Sequence, residues 1–460
     1  MRLPDAKEIL SKIKVTAILG APVIASLVGL AWYKINVFDF DRAESELEQA
    51  YRQAKQVGYP LTASDITSPP HYGASPDPLD EQFVQIMTQC DTKRKSLFPN
   101  RKFPSQRLLR LREYAPIFSS DVLREFELTT PFIDEASQVA MQQGERFGKS
   151  KDWDLNYDVL LPEFAPHKTL IKLLGARAIL RASRADVDTA IKDLSLGITL
   201  SRYLKTHPTL IGHLVMIAEH AILARAATKC IELQPSQASK FAKLVEIAAP
   251  FDIRYALRGE AYMHLALLRN LVPEPALSDA KAPDRRRRIL RNGFPTDKKS
   301  RAFMCVSLRN WMPVMTACDL RQPYFKKVVF DAVERYSDGQ TQIPDLPINK
   351  LEGALASELH SFLVASDCAL ARSYCVQVYA KAVKFFVDNG RPPNTLQEIN
   401  MSDRDPISGW QIKLRLNKNE MRVYNFGQDQ EDNGGVTSEE ARSPGDDTTP
   451  IDDVYIYHMR

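Results

Sequence analysis

His167–Leu233 reads HKTLIKLLGARAILRASRADVDTAIKDLSLGITLSRYLKTHPTLIGHLVMIAEHAILARAATKCIEL, and the spacing of its apolar residues decides the fold. Leu170, Leu173, Leu174 and Ala178 recur at helical intervals. So do Val187, Ala190, Ile191, Leu194 and Ile198, and then Leu210, Leu214, Ile217, Ala221 and Ala224. Residues three and four apart share one side of an α-helix, so each set makes an apolar stripe that needs another stripe to cover it. Breaks fall at Arg184 to Asp186, at Pro208 and at Pro235, with Ser236 as a candidate N-cap. The pattern runs on to Leu271. It predicts a mainly α chain whose residues 81–271 form an α-helical hairpin, solenoid-like bundle.

The 460 residues carry 61 Lys plus Arg against 57 Asp plus Glu, a net charge of +4, and 44% are hydrophobic. That balance supplies no general attraction to nucleic acid, and it excludes disordered, collagen-like and multi-span membrane classes. Near the start, Val15–Tyr33 (VTAILGAPVIASLVGLAWY) holds nineteen residues without a charge, long enough as a helix to cross a bilayer once. Arg2, Lys7, Lys12 and Lys14 precede it. Trp32 and Tyr33 end it at an interfacial position, and the acidic residues Asp39, Asp41, Glu44, Glu46 and Glu48 follow. The positive-inside rule then places residues 1–14 in the cytoplasm, residues 15–35 as a transmembrane helix in the inner membrane, and the bulk of the chain on the periplasmic side. A cleaved signal, with Gly29-Leu30-Ala31 as its processing site, and a buried core helix are the competing readings.

Beyond the span, Asp41 to Val57 reads as a polar stalk helix with Leu47, Tyr51 and Ala54 on a narrow stripe. The proline-rich stretch up to Asp80 reads as a linker, closing a segment 36–80. Helical patches resume at Phe83 to Cys90 and at Pro131 to Gln143. Residues 272–350 read as a basic loop and connecting segment, in which Arg285, Arg286, Arg287, Arg288 and Arg291 offer a contact to an anionic surface such as lipid headgroups, against a plain solvated loop. The six cysteines are sparse and make no CxxC pair, so they read as buried apolar fillers, with a Cys305 to Cys318 disulfide allowed by export.

No complete catalytic motif occurs. His213, Glu219 and His220 on one helix, and Glu260 with His264 on another, could be imagined as a metal or acid–base cluster. Polar groups satisfied within a bundle are the plainer reading.

Leu351 to Asp388 has the pattern of one long helix, stopped by Asn389-Gly390 and kept from resuming by Arg391-Pro392-Pro393. Ile412, Leu414 and Leu416 alternate with Lys413 and Arg415. Met421, Val423 and Phe426 follow as a second short strand after a turn at Asn417-Lys418-Asn419. The order FFVDNGRPPNTLQEI (385–399), DPISGWQIKLRL (405–416), VYNFGQDQEDNGG (423–435) and DDVYIY (452–457) resembles the globular domain of the major pseudopilin of type II secretion, over about the last 105 residues. The resemblance implies that 351–460 is a long helix plus a small α+β domain with a short antiparallel sheet. It also implies a loop that binds calcium before a closing strand. Asp429 lies where that family's first loop aspartate lies and Asp452 or Asp453 where the closing one lies, while Asp432 is a further candidate by proximity. The family's processed Gly-Phe-Thr-Leu-x-Glu start has no counterpart between Met1 and Ile35. The overall layout also looks like uncharacterised envelope proteins of planctomycete-type bacteria.

Charge arithmetic points the same way. Gly427 to Arg460 holds nine acidic residues against Arg442 and Arg460, a local charge of −7, and a bound hard cation would relieve that repulsion. The sequence therefore leads to a single-pass envelope protein with an exported helical scaffold for other envelope proteins and a calcium-stabilised, pseudopilin-like end. A part in a secretion or pilus-like machine, and a metal-dependent cell-wall hydrolase, are the alternatives.

Overall fold

In the computed structural model the described residues are 40–61, 78–99, 103–110, 119–143, 164–207, 209–248, 254–271, 308–309, 311–316, 331, 347–406, 409–426, 432, 434–435 and 453–459. Along them run α1 (Phe40–Gln56), α2 (Pro78–Leu97), α3 (Ser105–Arg110), α4 (Ser120–Gln143), α5 (Phe164–Ser183), α6 (Val187–Ser201), α7 (Leu210–Leu233), α8 (Ala238–Ala248), α9 (Arg254–Leu271), α10 (Pro347–Asn389), and strands β1 (Ile412–Asn417), β2 (Glu420–Asn425) and β3 (Asp453–His458). The chain is thus mainly helical with a three-stranded sheet near its C-terminus, as the patterning predicts. The span Val15–Tyr33 lies outside the described residues.

The α5–α6 hairpin turns tightly because its ends are capped. Ala185 sits in the left-handed region at φ 61°, the Asp186 amide donates to the Arg181 carbonyl, and the Ala185 amide to that of Ala182. That is a Schellman closure with alanine where glycine is usual. Asp186 then opens α6, its side chain accepting from the Thr189 amide. Thr209 caps α7 in the same way through the Gly212 amide. Ser236 does not cap α8: it lies inside a one-turn 3-10 helix, Pro235–Gln237, whose preceding residue is Gln234. A proline at the first position of that short turn draws the chain into it before the α-helix starts.

Helix α7 is the centre of the bundle and packs against α5, α6, α8 and α10. By length and composition alone it would pass as a candidate membrane span, yet most of it is buried within the protein. Unlike the uncharged Val15–Tyr33, it carries Glu219, Arg225, Lys229 and Glu232. Small residues set the spacing here: a Cβ on Gly175 of α5 would stand 3.1 Å from that of Ala226 on α7. The buried side of α7 keeps Leu210, Ile217 and Ala224 of the expected stripe but is wider than it. Leu214 is 38% exposed, while Gly212, His213, Met216, Glu219 and His220 face inward. Polar side chains on that face find partners on other helices, which an apolar count does not register.

Other expectations shift in similar ways. The stalk helix is not free-standing, because Ala50 and Ala54 of α1 are buried in the main core and Tyr59 donates its hydroxyl to the Ala261 carbonyl of α9 at 2.9 Å. Pro131 does not start a helix but lies inside α4, on its exposed side, where a missing amide is least costly. The connecting segment contributes to the core through Leu308, Trp311, Val314 and Met315.

The C-terminal region is continuous with the bundle. Helix α10 lies against α7 and α8 over part of its length and under β2 and β3 over the rest, and it stops at Gly390, φ 68°. The sheet has order β1-β2-β3, all antiparallel. Ile412, Met421, Val423 and Tyr457 join the same core cluster as the helices.

Candidate functional site

The alternation of β1 and β2 puts opposite chemistry on the two faces of the sheet. Ile412, Met421 and Val423 face the core, so Lys413, Arg415, Arg422 and Tyr424 share the outer face. In register, Arg415 stands directly opposite Arg422, and Lys413 opposite Tyr424. Like charges opposite each other destabilise a strand pair unless something neutralises them. Asp432 and Glu420 supply counter-charge, and the carbonyls of Gly434 and Gly435 supply acceptors. Arg415 Nη1 donates to the Gly434 carbonyl at 2.6 Å and Arg422 Nη1 to the Gly435 carbonyl at 3.1 Å, while Arg422 also pairs with Glu420. Lys413 pairs with Asp432 Oδ2; Tyr424 and the Gly434 amide donate to Oδ1 at 3.2 and 2.9 Å. The Lys413 hydrogen bond, more than any other cause, holds the Asp432 carboxyl below the usual carboxylate range.

Gly434 and Gly435 both occupy the left-handed region, at φ 75° and 67°. A side chain at Gly435 would press to 2.8 Å from the Tyr424 ring. Two glycines are therefore what lets the backbone lie flat on the basic face with its carbonyls turned toward the guanidinium groups.

Asp432 does not fit a calcium shell in this arrangement. Calcium takes about six to eight oxygens, whereas both carboxylate oxygens here already accept from the protein, and the nearby Gly434 and Gly435 carbonyls accept from arginines. Asp453 opens β3 opposite Asn425, and Asp429 and Asp452 lie outside the described residues. Among the described residues no group of three or more His, Cys, Asp or Glu side chains could hold a metal.

The histidines of the bundle do not converge either. His167 of α5 pairs with Glu219 of α7 through Nδ1 at 2.6 Å, both side chains fully buried, and its Nε2 lies 3.1 Å from the Leu200 carbonyl. Because a carbonyl only accepts, the contact to Leu200 is a hydrogen bond donated by Nε2, which leaves Nδ1 facing the carboxylate. Tyr203 stacks on the ring, centroids 5.7 Å apart, and Phe83 meets its edge. His213 instead turns to the Phe362 ring of α10. His220 lines a cavity of about 10 Å³ with Leu194, Ile198, Leu223, Leu244 and Val245. That volume admits at most about one water. Burial, then the Arg372 charge, hold the His220 imidazole down at about 4, so it is neutral at physiological pH. Glu260 accepts from the Leu210 amide at the start of α7, and the His264 side chain lies outside the described residues.

Two further ionic clusters were not anticipated from the sequence. Arg177 of α5 makes a bidentate contact with Asp193 of α6, Nε to Oδ2 at 3.1 Å and Nη2 to Oδ1 at 2.7 Å, and Arg181 also reaches Oδ2 at 2.8 Å. Arg94 of α2 pairs with Glu125 of α4 in a fully buried contact, stacks 3.6 Å from the Phe103 ring centroid, and shares Glu125 with the Ser105 amide and hydroxyl. The i, i+4 pair Arg177 and Arg181 facing an aspartate on the next helix of the same hairpin was the available signal for the first. The second joins distant positions, and nothing in the local pattern marks it. Cys90, Cys230, Cys368 and Cys375 are buried free thiols, in line with the filler reading, whereas Cys305, Cys318 and Arg285–Arg291 lie outside the described residues.

Comparison of the chain with protein-family models, with curated proteins and with solved structures finds no match.

Proposed function

We propose that the chain is a single-pass envelope protein, anchored in the inner membrane through Val15–Tyr33, whose exported helical body is a scaffold for other envelope proteins. The observation that carries this reading is the uncharged nineteen-residue stretch with four basic residues before it and an acidic run after it. The scaffold assignment draws support from the interior. His167 with Glu219, Arg177 with Asp193 and Arg94 with Glu125 are each spent on holding helices together, which leaves them in structural rather than chemical roles. Crosslinking in intact membranes tests it. The scaffold reading expects the same envelope proteins to be trapped from several surface positions of the body. No trapped partner, together with bound zinc and hydrolysis of cell-wall polymer lost in His213→Ala and His220→Ala, would select the hydrolase reading instead.

A second reading, a part in a secretion or pilus-like machine, is favoured by one feature: a long helix packed under a three-stranded antiparallel sheet, the arrangement the sequence resemblance implies. Self-polymerisation through that helix fits poorly, since Leu359, Phe362, Leu363, Ala369 and Cys375 are already buried within this same chain. On this reading the crosslinks would run to assembly components rather than to further copies.

A further inference from the structure

We propose that Lys413, Arg415 and Arg422 take the place of a calcium ion at Asp432, Gly434 and Gly435, holding these residues on the sheet without a divalent cation bound to them. Calcium in such a loop does two jobs: it cancels carboxylate charge, and it gathers backbone carbonyls into a fixed turn. Both jobs are done here by side chains of the sheet. The Lys413 ammonium cancels Asp432, and it also lies 5.2 Å from the Phe426 ring centroid. The Arg415 and Arg422 guanidinium groups gather the carbonyls of Gly434 and Gly435.

The exchange is reciprocal. An in-register Arg415–Arg422 pair beside Lys413 would repel itself on an open sheet face, and the acidic segment would repel itself in solvent; laid together, each relieves the other. A calcium ion at Asp432 would have to displace Lys413 and would then stand near two guanidinium groups, a like-charge arrangement that disfavours binding. The two glycines belong to the same device, since Gly435 can approach the Tyr424 ring only without a side chain.

Hydrogen exchange of the full-length protein in detergent, in millimolar calcium or in chelator, tests this directly. Protection of the Gly434 amide is expected to be the same in both. Lys413→Met is expected to speed its exchange about tenfold, the loss of one charge-assisted hydrogen bond, again equally in both. Lys413→Arg should restore most of the protection. Saturable calcium binding that protects 432–435 in the wild type would overturn the proposal, and so would a Lys413→Met variant with unchanged exchange.

Discussion

The Tyr379 hydroxyl lies 3.3 Å from the Glu232 carboxylate at the end of α7 and 3.3 Å from the Ile456 carbonyl of β3. One phenol on α10 thus reaches both the helical bundle and the sheet. Its ring lies among Tyr455 and Tyr457, and Lys229 donates to the other Glu232 oxygen at 2.7 Å. Shared core and shared hydrogen bonds make the bundle and the C-terminal domain one cooperative unit rather than a body with a detachable tail. Tyr379→Phe, which keeps the ring and removes the hydroxyl, should cost about 1 kcal/mol. The whole chain should still melt in one transition, read as coincident loss of helix signal and of near-ultraviolet tyrosine signal.

Glu232 adds a pH dependence. Burial pushes its carboxyl above the ordinary range, with Lys229 and Tyr379 pulling it back. A raised folded-state value means that the folded protein holds this proton more tightly than the unfolded chain, so the contribution to stability falls as pH rises from the ordinary carboxylate range through the raised value. Glu232→Gln should therefore gain on the wild type in melting temperature between acid and neutral pH. A difference that stays flat across that range would contradict the burial argument.

His220 has the opposite sign. With its imidazole held at about 4 in the fold and near 6.5 when unfolded, the stability it contributes is complete above pH 6.5 and is lost as pH falls toward 4. The total at stake is on the order of 3 kcal/mol. His220→Leu, placed among Leu194, Leu223 and Leu244 beside the small cavity, should flatten the acid limb of the stability profile.

Asp193 neutralises Arg177 and Arg181 where water scarcely reaches. Asp193→Ala leaves the buried Arg177 guanidinium only its 3.6 Å contact with exposed Asp134 and should cost about 3 kcal/mol in denaturant titration. Nearby, Ala185 in the left-handed region is a strain point, so Ala185→Gly should stabilise the protein by about 1 kcal/mol despite adding a glycine.

Cys90, pushed up to about 12 chiefly by burial between α2 and α4, should resist alkylation in the folded protein and react only after unfolding. Mass spectrometry after iodoacetamide in native buffer and in guanidinium checks this.

Much of the architecture was legible because it depends on local pattern. Helix α10 follows from one side of regularly spaced Leu, Val and Ala residues and a left-handed Gly390, and the β1–β2 hairpin from the alternation of Ile412, Leu414 and Leu416 with Lys413 and Arg415. What was not legible depends on partners distant in sequence. A charge sum over Gly427 to Arg460 does not show that Asp432 pairs with Lys413 on the adjacent sheet, because that contact joins positions nineteen residues apart. The α7 stripe was drawn too narrow: Leu210, Ile217 and Ala224 are buried as expected, but His213, Glu219 and His220 are inward-facing polar groups whose burial rests on α5, α8 and α10. Ala54 looked like part of a thin stalk stripe with Leu47 and Tyr51, yet Ala50 and Ala54 are both buried, and such small residues are what allow α1 to lie close against the body.

The anchor is the claim on which location and function both rest. Full-length protein carrying a tag after Arg460 should stay in the membrane pellet through an alkaline carbonate wash, and protease added to spheroplasts should remove the tag. Intact protein in the carbonate supernatant or the cytosolic extract, with the tag sealed from outside protease, would contradict the account.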